Sequence, residues 1–121
     1  MRVIIAGSRG IKSYLDVKAA LRSSPFKDTI STVVSGNAAG VDRLGEQLAY
    51  EYSLSKVIFP ANWNRHKRAA GAIRNQEMAE YADALIAVWD GESKGTAHMI
   101  KTMEALGKPV FIYKTTVSET E

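Results

Sequence analysis

Five short apolar runs alternate with stretches of helical period, and that alternation leaves few folds open to this chain. The runs are Val3 to Ala6, Thr32 to Val34, Lys56 to Phe59, Leu85 to Trp89 and Val110 to Tyr113, each near-continuously apolar and bounded by Gly, Pro, Ser or Asn. Runs with β-branched residues and no polar side suit strands buried on both faces of a parallel sheet. Between them, apolar residues recur three to four positions apart: Tyr14, Val17 and Leu21; Val41, Leu44 and Leu48 with Tyr52; Ala70 and Ile73 with Met78; Met99, Met103 and Leu106. That spacing lines one face of a helix. Gly107 and Pro109 stop the last helix, with Gly just past its end and Pro beyond. Units of this kind predict an α/β, doubly wound fold: a five-stranded, mainly parallel sheet with helices on both faces and right-handed crossovers.

Composition narrows the chemistry. A chain of 121 residues, 45% hydrophobic and 24% charged, can bury one core, so residues 1–114 are expected to form a single domain and 115–121 a flexible polar tail. There is no cysteine, which removes disulfides, zinc-thiolate sites and thiol nucleophiles together. With only two histidines besides, neither a metal site nor a cofactor is expected. No apolar run approaches the roughly 18 residues of a membrane span; the chain reads as soluble, unprocessed and cytoplasmic. A net charge of +3 favours an anionic partner weakly. Lys12, Lys18, Lys56, Lys101 and Lys108 are scattered like the lysines of solvated helix faces and loop edges. The cluster Asn64-Arg65-His66-Lys67-Arg68 reads as an anion site or as a solvated helix start.

In an open parallel sheet, ligands bind beyond the carboxyl ends of the strands, where the strand order reverses. The segments following the first four strands are Gly7-Ser8-Arg9-Gly10, Ser35-Gly36-Asn37-Ala38-Ala39-Gly40, Pro60-Ala61-Asn62-Trp63-Asn64 and Asp90-Gly91-Glu92-Ser93-Lys94-Gly95-Thr96. Glycines let a ligand approach the main chain, and helix N-termini offer unpaired N–H groups. Several such loops at one sheet edge make a phosphate crevice. Neither a G-x-G-x-x-G nor a G-x-x-x-x-G-K-[ST] motif is present, which excludes ordinary dinucleotide dehydrogenases and P-loop enzymes.

Ser35-Gly36-Asn37-Ala38-Ala39-Gly40-Val41-Asp42-Arg43-Leu44, then Trp63, Gly71 and Arg74-Asn75, then Trp89-Asp90-Gly91-Glu92-Ser93-Lys94-Gly95-Thr96, with the opening Gly7-Ser8-Arg9, resemble the YspA-like branch of the SLOG superfamily over nearly the whole chain. The resemblance implies a Rossmann-like fold and a pocket for a nucleotide or nucleotide-derived ligand, and self-association common among relatives implies a homo-oligomer. Those relatives include the LOG phosphoribohydrolases, the single-stranded-DNA-binding DNA-processing protein A family, and sensor domains that bind nucleotide signals. LOG enzymes carry an Arg ahead of the fourth strand, which Arg74 matches, and an acidic pair after a Gly-Thr loop. Here Ala97, His98 and Met99 follow Gly95-Thr96 instead. The comparison therefore leans toward a sensor or sequestering protein rather than a catalyst.

The candidate ligand-binding residues are Gly7, Ser8 and Arg9 after the first strand; Ser35, Gly36, Asn37 and Asp42 around the second loop; Trp63, Arg74 and Asn75; and Trp89, Asp90, Gly91, Ser93, Gly95 and Thr96. Arg74 either grips phosphate with its planar fork or pairs with Glu77. Asp42 either favours the helix dipole or accepts a ribose diol. Trp63, in a polar loop, suits base stacking or a dimer contact; Trp89 divides between core and pocket wall; His98 reads as a surface residue. LOG-like hydrolysis of an N-glycosidic bond would need a carboxylate from Asp42, Asp90 or Glu92. Single-stranded nucleic acid ranks last as a partner, because aromatics make up only 8% of the chain and offer few stacking platforms.

Overall fold

The computed structural model describes residues 1–117, so the last four residues of the expected tail lie outside the described residues. Five strands, β1 (Arg2–Gly7), β2 (Thr32–Ser35), β3 (Ser55–Ile58), β4 (Ala84–Trp89) and β5 (Val110–Lys114), form one sheet in the order β3-β2-β1-β4-β5. Every neighbouring pair is parallel. The helices are α1 (Tyr14–Ser23), α2 (Val41–Glu51), α3 (Trp63–His66), α4 (Ala70–Tyr81) and α5 (Lys94–Ala105), with a 3-10 turn at Lys67–Ala69 between α3 and α4. This is the Rossmann-like doubly wound arrangement that the alternating pattern predicts.

Alternation along β1 divides the core in two. Val3 and Ile5 face one side, where they cluster with Val17 and Leu21 of α1 and Val41 and Leu48 of α2. Ile4 and Ala6 face the other, with Met78 of α4 and Met99 and Met103 of α5. Each fully buried branched side chain contributes about 1.5–3 kcal/mol over its exposed state, and β1 supplies such residues to both layers. After β1 the chain builds outward through β2 and β3, then crosses back to place β4 on the opposite side of β1, in register from Val3↔Ala84 to Gly7↔Val88. The strand order therefore reverses between β1 and β4, and the crevice expected of such sheets opens at their carboxyl ends.

Four departures from the sequence expectations are local. Burial on both faces holds for β1, β2 and β4, but β3 and β5 are edges, and Ile58 and Ile112 on them are exposed. Ile73 and Leu106, expected on inner helix faces, also reach solvent. Trp63 is not in a loop: it opens α3, whose N-cap Asn62 accepts the Arg65 N–H at 3.1 Å and so starts a helical turn inside a polar stretch. Lys108, grouped above with the solvated lysines, instead points its ammonium into the C-terminal end of α4. There it donates to the carbonyls of Ala79 at 2.7 Å, Glu80 at 3.1 Å and Ala82 at 2.8 Å.

Candidate functional site

At the β1–β4 switch point lies a cleft of about 340 Å³, lined by Gly7 and Arg9 from the end of β1, Asp42 from α2, Arg74 and Asn75 from α4, and Ser93, Gly95 and Thr96 from the start of α5. Ala6, Ala38, Met78 and Met99 complete it. A smaller lobe of about 170 Å³ is lined by Gly36, Asn37, Pro60, Ala61 and Trp63, and shares Arg9, Ala38 and Arg74 with the larger one. These volumes bracket the lower end of the usual range for small-molecule sites, about 300–1,000 Å³.

Arg74 stands where the two lobes meet. Its Nη1 donates to the Gly36 carbonyl at 2.7 Å and its Nε to Asn75 Oδ1 at 3.0 Å. Asn75 Nδ2 in turn lies 3.5 Å from the Gly95 carbonyl, to which it donates, and 3.2 Å from His98 Nδ1. The guanidinium is thus fixed between the β2 loop and α5 by neutral groups. Among the described residues no carboxylate forms an ion pair with it, Glu77 included. Burial lowers its proton affinity; Asp42 opposes that and Arg9 adds to it, though a guanidinium stays charged regardless. Gly36 is required by this approach: a Cβ there would sit 2.5 Å from Arg74 Nη1 and 2.9 Å from Asp42 Oδ2.

Asp42 is buried, and its Oδ2 accepts the Ala38 N–H at 3.2 Å. Desolvation pushes its carboxyl up from 3.8 to about 6, with Glu46 acting in the same direction; the Ala38 N–H, Arg74 and Arg9 pull the other way. On the far wall, α5 begins with the N–H groups of Lys94, Gly95 and Thr96 ahead of the first intrahelical bond, which Ala97 donates to the Ser93 carbonyl. The positive end of that helix faces the same cleft as the two arginines.

The other candidate residues build the loops rather than line the space. Ser8 Oγ accepts the Asp90 N–H at 3.2 Å, tying the β1 loop to the β4 loop. Ser35 Oγ accepts the Asn37 N–H at 3.0 Å and lies 2.8 Å from Glu46 Oε2. Trp89 Nε1 donates to the Ser93 carbonyl at 3.1 Å. Asp90 Oδ1 accepts the N–H groups of Ser93 and Glu92, both at 2.8 Å, which holds its carboxylate below the usual range. Gly91, at φ 86°, turns the chain within this loop. Neither Asp90 nor Glu92 lines either lobe, so of the three carboxylates considered for hydrolysis only Asp42 faces the cleft.

Ala6, Met78 and Met99 carry no sequence signal as site residues, while Ala38, Pro60 and Ala61 stand in the segments that follow strands but are not among the candidate residues. The two methionines fit the helical period of a core face, and they do pack in the core while also flooring the cleft. Among the described residues no group of three or more His, Asp or Glu side chains is placed to hold a metal ion, and no helix is long and apolar enough to cross a membrane.

Comparison with known proteins adds two findings. A family model described as the YspA, cpYpsA-related SLOG family matches residues 1–66. The chain is also similar to the Gene 61 protein of Mycobacterium phage D29, at 32% identity over 116 residues, covering 90% of this chain and 93% of that protein. No solved structure matches it.

Proposed function

This chain belongs to the YspA, cpYpsA-related SLOG family, and from that premise we propose that it binds a nucleotide or nucleotide-derived ligand in the cleft at the β1–β4 switch point, acting as a sensor or sequestering protein. The observation that carries this reading is the half-buried Arg74 guanidinium, oriented by Gly36 and Asn75 and left without an ion-pair partner among the described residues. Arg9 lines the same space, and the α5 N-terminus adds N–H donors. Converging cations and unpaired N–H groups suit a phosphate, and a fixed planar fork suits its bidentate recognition. Trp63, half exposed on the rim of the smaller lobe, offers an apolar face for a base.

Calorimetric titration with a panel of mono-, di- and cyclic nucleotides at fixed salt tests it. At least one member should bind, and Arg74→Ala should weaken that binding by tenfold or more, with Arg74→Lys recovering part of it. Silence across the panel overturns the reading.

A second reading, hydrolysis of an N-glycosidic bond, is favoured by one observation: a carboxyl held near 6 inside a cleft is poised for acid–base work near neutrality. Base release from nucleoside monophosphates, abolished by Asp42→Asn, would support it; no turnover over long incubation would remove it.

A further inference from the structure

Arg9, Arg74 and the α5 N-terminus make the larger lobe a place for negative charge, yet Asp42 is set into the same wall. A carboxylate beside a bound phosphate weakens that phosphate's binding unless it takes a hydrogen bond that the ligand itself supplies. Asp42 has the capacity to do so. Its Oδ2 is occupied by the Ala38 N–H, whereas Oδ1 takes no hydrogen bond from the described residues. No buried side-chain oxygen or nitrogen among them is left unpaired, so Oδ1 is not sealed within the core, and the space that its residue lines is the cleft. An ionised carboxylate is acceptor-only, and what it selects is a hydroxyl or amino donor.

The position of Asp42 says which part of the ligand carries that donor. Asp42 sits where the two lobes join: a Cβ on Gly36, which lines the smaller lobe with Trp63, Pro60 and Ala61, would stand 2.9 Å from Asp42 Oδ2, whereas the α5 N-terminus lines only the larger lobe. A phosphate held by the arginines and α5, with a planar base against Trp63, leaves the sugar as the part within reach of Asp42. We propose that this site is specific for ribonucleotides, with Asp42 Oδ1 accepting a hydrogen bond from the ribose diol and so excluding 2′-deoxynucleotides. The inference rests on the nucleotide-binding reading above and adds to it the class of sugar.

The test compares adenosine 5′-monophosphate with its 2′-deoxy and 2′-O-methyl forms, or the same three forms of whichever base the panel favours, by calorimetry. Wild-type protein should bind the ribo form at least tenfold more tightly than either analogue. Asp42→Asn, which keeps an oxygen to accept the Ala38 N–H, should bring that ratio below about threefold. It should also bind the 2′-deoxy form more tightly than wild type does, since a negative charge has left the phosphate's surroundings. A purely structural role for Asp42 would change stability and leave the ratio untouched. Equal binding of ribo and deoxy forms by the wild type overturns the inference, whatever the variant does. If that equality is accompanied by loss of binding in Arg74→Ala, the nucleotide reading stands and the sugar specificity falls alone; if nothing binds, both fall.

Discussion

A carboxyl titrating near 6 in the folded chain works against folding at neutral pH, because the unfolded chain releases the same proton near 3.8. Between those values the folded state holds a proton that the unfolded state has lost, so stability declines as pH rises from about 4 to about 6 and is level above that. Moving a carboxyl that far corresponds to about 3 kcal/mol, at about 1.4 kcal/mol per tenfold change in proton affinity. Asp42→Asn should therefore raise stability in denaturant titrations at pH 7.5 by up to about 3 kcal/mol, with the gain shrinking to nothing as pH approaches 4; a gain that is flat with pH would mean that burial of the charge is not its cause. Gly95 separates site from scaffold in a different way. A Cβ there would meet nothing within 4 Å and would project from a residue that lines the larger lobe. Gly95→Ala should hold or raise stability, by up to about 1 kcal/mol from helix propensity, while weakening nucleotide binding severalfold; unchanged affinity would place the ligand away from α5. The sequence distinguished these residues only in part. Arg74, Asp42 and Gly95 were legible from their loops and helix starts, but Ser8, Ser35, Trp89 and Asp90 are the same kinds of residue in the same segments. They serve the loops' own N–H and carbonyl groups, and which polar side chain a loop consumes depends on contacts as distant as Asp90 to Ser8.

The elements of regular period were readable because each periodic face meets the sheet. The signal failed where an element was short or its surroundings incomplete: α3 is a four-residue helix in a polar stretch, and β3 and β5 look like central strands because an edge differs from a centre only by what lies beside it. Lys108 is another case. In the sequence it follows Gly107 at the end of α5, where a solvated lysine is unremarkable, but its ammonium closes the carboxyl end of α4 through three carbonyls. Those carbonyls are among the ones a helix leaves without internal partners, at the negative end of its dipole. Lys108→Met retains most of the aliphatic stem and removes the charge, so its thermal melt should report a loss of about 1–3 kcal/mol, the scale for hydrogen bonds to a charged group. Binding should be unaffected, since Lys108 lines neither lobe. A neutral result in the melt would mean that water replaces the ammonium without loss.

At the scale of the whole molecule, the strand order β3-β2-β1-β4-β5 makes the site a joint. One side of the cleft is supplied by the ends of β1 and β2 and the start of α2, the other by α4 and α5, and the sheet crosses between them through the β1–β4 pairing. Arg74 and Asn75 already span the gap, from the Gly36 carbonyl on one side to the Gly95 carbonyl on the other. A ligand held by both sides adds a second crossing, and it stabilises the folded state by mass action, about 2.7 kcal/mol at a hundredfold excess over its Kd. That stabilisation should not be uniform. Hydrogen exchange with the tightest nucleotide from the panel should slow at the Gly36–Ala38 segment and at Lys94–Thr96 together, because local opening of either loop now requires breaking contacts to the ligand. Amides at the opposite end of the strands, such as Ser31 and Asp83, should change only as far as global unfolding is suppressed. Protection confined to one of the two loops would show that the ligand rests on a single wall, and the site would then be a surface of one layer rather than the crevice that the reversal of strand order creates.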